Sequence, residues 1–83
     1  MMVRKYAPRD LQVAGRRLWR EVVAAYPDLT IGETLLLIEA ARTADLCDKL
    51  NTASQKPTCP RATLVELRQQ RQSLAALINE LGI

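Results

Sequence analysis

The stretch from Glu33 to Asn51, ETLLLIEAARTADLCDKLN, carries too much apolar surface for one neighbour to hide. On a helical wheel Leu35, Leu46, Leu50, Leu36, Cys47, Ala40, Ala44 and Leu37 fill a continuous arc of roughly 200°, while Arg42, Asp45, Asp48 and Lys49 crowd the remainder. A surface helix with one buried face shows a stripe nearer about 100° wide. This segment is therefore expected to be a central helix covered from two sides, by two helices or by one helix and another subunit. Glu39 stands out because it lies inside the apolar arc. Thr30-Ile31-Gly32-Glu33 reads as a capping box, in which the Thr30 hydroxyl and the Glu33 carboxylate each accept from an otherwise free backbone N–H. The helix is expected to start near Ile31 and to run over 31–52.

Size sharpens the problem. A chain of 83 residues buries only about 60–65% of its unfolded surface. With no Phe, and with Trp19, Tyr6 and Tyr26 as the only aromatics, the core must be aliphatic, which suits helix packing better than a sheet sandwich. Apolar residues make up 48% of the chain, so self-association is an expected further source of stability. No apolar run reaches the roughly 18–20 residues that span a bilayer, and MMVRKYAPRD lacks the apolar core of a signal peptide. The expectation is a soluble, intracellular protein without a membrane partner. Cys47 and Cys59 are not in C-x-x-C spacing and the chain has no His, so neither a metal site nor a cofactor is expected.

Charge is unevenly spread. Residues 1–20 sum to +5, residues 21–50 to −4 and residues 51–83 to +2. A basic arm ahead of an acidic middle suits a protein that touches a polyanion at one end, although a solvated basic tail has the same pattern. Residues 1–9 read as a basic, flexible arm, and 10–83 as a single helical domain. Asp10 is a candidate N-cap for a first helix over 10–26. On that helix Leu11, Gly15, Leu18, Trp19, Val22 and Tyr26 share one face, opposite Arg16, Arg17 and Arg20. Gly15 on the dry side costs about 1 kcal/mol of helix propensity relative to Ala, a cost usually offset by close approach of another backbone. Pro27-Asp28-Leu29 ends this helix and leaves a short turn.

Ser54 to Pro60 contains two prolines and no periodicity, so it reads as a loop. The third helix, over 61–81, starts either with Pro60 at its first position or with Thr63 as cap and Glu66 three residues on. Gly82 closes it. Leu64, Leu67, Leu74, Ile78 and Leu81 form its stripe, with Arg71 in the middle. An arginine among leucines is costly unless paired, and the acid inside another apolar arc is Glu39. A Glu39–Arg71 pair, within or between subunits, is the expectation. The fold class is all-α, a helical hairpin plus a third helix.

Enzyme chemistry has little to stand on. The chain has no His for proton transfer, no G-x-x-x-x-G-K-[ST] phosphate loop and no Ser or Cys beside a base at recognisable spacing, so no catalytic residue is assigned. Nucleic-acid binding is better supported. Arg16, Arg17 and Arg20 project from one side of the first helix and Arg4, Lys5 and Arg9 precede it, which allows phosphates of double-stranded DNA to be met from two directions. As a solvated surface the same residues need no partner, with Arg17 pairing Glu21 at i,i+4.

Three ordered blocks, AGRRLWREVV from Ala14, LLLIEAARTAD from Leu35 and VELRQQRQSLAAL from Val65, resemble the small terminase subunits of tailed bacteriophages, in particular the short type of actinobacterial phages and prophages. The resemblance implies a non-enzymatic viral protein of the bacterial host cytoplasm that forms a ring of roughly eight to ten copies. It implies that the ring binds phage DNA for packaging and hands it to the large terminase subunit, an ATPase and nuclease. Glu39, Leu67, Arg71, Leu74, Ile78 and Leu81 are then candidates for the core or subunit seam. The connection between the second and third helices is shorter than that family's, which leaves the arm and the first helix to meet DNA. Two other readings stay open: a dimeric helix-turn-helix regulator, and an adaptor whose wide apolar helix docks a partner helix.

Overall fold

In the computed structural model, which describes residues 7–82, three α-helices follow one another: α1 (Val13–Ala25), α2 (Ile31–Ser54) and α3 (Arg61–Leu81). No strand occurs among the described residues. α2 is central and packs against both α1 and α3, while α1 and α3 make no close backbone approach to each other. Leu11, Trp19, Val22, Leu29, Leu37, Ala40, Ala41 and Leu81 form the buried core, with Leu74 and Leu77 packed against it.

α2 begins as its sequence dictates. The Thr30 hydroxyl accepts from the Glu33 N–H at 3.1 Å and the Glu33 carboxylate from the Thr30 N–H at 3.0 Å. Nothing local stops the helix until the Pro57 turn approaches, so it runs to Ser54, two residues past the expected end. α3 covers the expected span, Arg61–Leu81, with Pro60 in the cap position and extended instead of at the first helical position, and with Thr63 inside the helix instead of capping it. Glu66 accepts from the Gln70 side chain at 2.8 Å instead of closing a cap. Gly82, at φ 75°, ends α3 in the left-handed region, where a side chain would be strained.

α1 departs from expectation at both ends. Its cap position is Gln12, not Asp10, and no local side chain caps it. Asp10 pairs with Arg42 on α2 at 2.9 Å. The cap comes from Asp45 on α2, whose two carboxylate oxygens accept from the Gln12 N–H and the Gly15 N–H, each at 2.7 Å. One distant carboxylate thus satisfies two of the free donors that every helix start presents. At the other end the chain leaves the helix at Tyr26, which rotates that ring out of the dry face to 45% exposure.

The contact between α1 and α2 is tight because Gly15 has no side chain. A Cβ there would stand 2.6 Å from the Ala41 carbonyl oxygen and 2.5 Å from Asp45 Oδ2. The close backbone approach expected at this glycine is present. Trp19 is fully buried beside it, and its Nε1–H finds no acceptor among the described residues. An unmet donor costs about 1–3 kcal/mol, less than the roughly 4–6 kcal/mol that burying an indole contributes at 25 cal/mol per Å². Packing outweighs the orphaned donor.

Candidate nucleic-acid interface

The buried face of α1, Gly15, Trp19 and Val22, fixes where its other side points. Arg16, Arg17 and Arg20 are all exposed on that outer side, and Arg9 is exposed in the turn before the helix. Arg17 lies 3.5 Å from Glu21, with both side chains largely in solvent, and Glu21 and Asp48 line the same shallow groove as Arg17. An ion pair this exposed contributes little and is screened by salt. Arg16 and Arg20 form no ion pair among the described residues, so one ridge of α1 carries two uncompensated charges a single turn apart. Arg4 and Lys5 lie outside the described residues.

The ridge is held in place from α2. Asp45 fixes the first turn of α1, and the Arg42–Asp10 pair draws the segment before it onto the same helix. Sequence reasoning placed Asp45 among the solvent-facing charges and gave it no role. Its spacing from Gln12, over thirty residues, leaves no local signal; the hint was Gly15, which announces that something must come close.

The seam expected around Arg71 resolves differently. Leu67 and Leu81 are buried and Leu74 and Ile78 half-buried, so the stripe packs in part against this chain's own helices. Arg71 sits at its edge, exposed, donating to Asn51 Oδ1 at 3.2 Å. Within one chain the Glu39–Arg71 pair does not form. α2 and α3 are antiparallel, and the Arg71 side chain reaches toward Asn51 at the loop end of α2, away from Glu39. Glu39 is exposed and its carboxylate has no partner among the described residues. Leu64 is exposed as well, beside Arg68, Arg71 and Ala75.

α1 and α2 lie side by side as an antiparallel hairpin, since Gly15 touches Ala41 and Asp45, far along both helices from the turn that joins them. A helix-turn-helix crosses at about 90–120° and frees its second helix for a groove. That geometry is absent here. No helix among the described residues is long and apolar enough to cross a membrane. No family model, no curated protein and no solved structure matches this chain.

Proposed function

We propose that the chain is a non-enzymatic, self-associating DNA-binding protein with the role of a phage small terminase subunit, holding double-stranded viral DNA and presenting it to the large terminase ATPase-nuclease in the host cytoplasm. The observation that carries the DNA contact is the ridge of Arg16 and Arg20, without an ion pair among the described residues and fixed to the scaffold through Asp45. Arg9, Arg4 and Lys5 extend the same charge along the arm, and Arg17, shared with Glu21, contributes less. Phosphate contact of this kind is independent of base sequence and falls with salt. The ring assembly comes from the resemblance of the three sequence blocks. The regulator reading draws less support, because α1 and α2 meet as an antiparallel hairpin, Gly15 against Ala41 and Asp45, rather than crossing steeply.

Titrating a labelled duplex by fluorescence anisotropy at several salt concentrations tests this. Binding is expected at low salt, and Arg16→Ala/Arg20→Ala should weaken it and flatten the plot of log K against log salt by about 2, near 0.9 per lost phosphate contact. Absence of duplex binding at low salt would reject the DNA role and leave the adaptor.

A further inference from the structure

α2 has three sides, and only two are covered. α1 lies along the side of Thr34, Ala41 and Asp45, and α3 along the side of Leu36, Ala40 and Cys47. The third side carries Ile31, Leu35, Glu39, Arg42 and Leu46, with Leu50 at its edge. Leu35 is 62% exposed, Ile31 50% and Leu46 37%, so half of the apolar arc of this helix has no cover among the described residues.

This stripe is complementary to itself. Leu35, Glu39, Arg42 and Leu46 follow one another at intervals of four, three and four residues, the spacing of a helix–helix seam. Read in reverse, the order of chemistry is the same: apolar at both ends, opposite charges in the middle. Two copies laid antiparallel, with the two-fold axis at the level of Ala40 and Ala41, set Leu35 against Leu46, Glu39 against Arg42, and Ile31 against Leu50, each contact occurring twice. The Arg42 guanidinium gives its Nε–H to Asp10 and keeps its other N–H groups for a second carboxylate. Glu39 has no partner within the described residues, and this register supplies one. The α3 groove is the alternative seat for this stripe, but its Leu64, Arg68, Arg71 and Ala75 set Arg42 against an arginine in one direction or the other.

We propose that the exposed stripe of α2 is a symmetric dimer contact with a second copy of this chain, held by Leu35–Leu46 packing and reciprocal Glu39–Arg42 pairs. The contact is isologous, so any larger assembly built on it has an even number of copies. It goes beyond the proposed function, resting on self-association and not on DNA binding.

The test is absolute mass by light scattering after size exclusion, with far-UV circular dichroism to confirm the fold. Wild-type protein should hold an even number of copies. Glu39→Arg sets like charges together twice per dimer and should lower the mass by about two-fold or more, as should Leu46→Glu. Glu39→Arg/Arg42→Glu exchanges the charges and should restore the wild-type mass. A monomeric wild type, a Glu39→Arg protein of wild-type mass, or a double variant as small as the single one would each overturn the contact. Duplex titration of the Glu39→Arg and Leu46→Glu samples reads the DNA role separately, since both leave Arg16, Arg20 and the Arg42–Asp10 pair intact.

Discussion

Gly15 is where one missing methyl group decides how two helices meet. By propensity alone Gly15→Ala should stabilise α1 by about 1 kcal/mol. The added Cβ would fall 2.6 Å from the Ala41 carbonyl, a backbone atom that cannot swing aside, and 2.5 Å from the carboxylate that caps the helix. Overpacking of this kind costs about 1–3 kcal/mol, and it is joined by weakening of the two hydrogen bonds that Asp45 accepts from the Gln12 and Gly15 N–H groups. Destabilisation should win, seen as a lower urea midpoint for Gly15→Ala. Asp45→Ala alone removes the cap, at about 1–2 kcal/mol. The double variant should lose less than the sum of the two, because one of the clashing groups is gone while the Ala41 carbonyl remains. A Gly15→Ala protein more stable than wild type would show that the helices part freely.

At the scale of elements, local chemistry and distant chemistry separate cleanly. The start of α2 and the end of α3 were legible, because Thr30 with Glu33 and the left-handed Gly82 act within a few residues of themselves. The start of α1 was not, because its cap is a carboxylate over thirty residues away and the apparent cap, Asp10, is taken by Arg42. A helical wheel tells which side a residue is on and not which level it meets. That is why Glu39 and Arg71 looked like partners while the antiparallel packing of α2 and α3 sets Arg71 beside Asn51. The outward side of Arg16, Arg17 and Arg20 was legible from the wheel, whereas the anchoring of their ridge by Asp45 was not. The capping box of α2 also has a pH signature. The Thr30 backbone N–H first, and the Thr30 hydroxyl second, hold the Glu33 carboxyl below its ordinary 4.5, against slight desolvation. The unfolded chain therefore takes up a proton at this residue before the folded one does. The stabilisation is complete above pH 4.5 and fades as pH falls through the folded value. Comparing urea midpoints of wild type and Glu33→Gln from neutral to acid pH should show the wild-type advantage shrinking below that point. A gap that stays constant with pH would mean the charge of Glu33 is not what the cap uses.

The whole molecule is longer than its core. Its principal extents are 48 × 22 × 16 Å and its radius of gyration is 13.9 Å, against about 12 Å for a compact chain of this length. α1 lies along the first part of α2 and ends its contact near Asp45 and Asp48. The buried cluster follows it, drawing on Leu11 to Ala41 and Leu81. Beyond it, α2 from Leu50 to Ser54 and α3 from Arg61 to Arg71 face only each other among the described residues, with Leu67 as the one buried side chain of that end. Burying one leucine contributes about 1.5–3 kcal/mol, while ordering each residue of two such helix ends costs about 1–2 kcal/mol of backbone entropy. The loop end of the hairpin should therefore open without the rest of the protein. In native-state hydrogen exchange on dilute protein, amides of Cys47–Ser54 and Leu64–Arg68 should exchange through a lower-energy opening than those of Trp19 and of Leu37–Ala41, which should need global unfolding. Raising the concentration should then slow exchange around Leu35 to Leu46 if copies meet there, and leave the loop end as it was. Uniform protection along α2 at every concentration would mean that Leu67 and its half-buried neighbours hold the far end as firmly as Trp19 and Leu37 hold the near one.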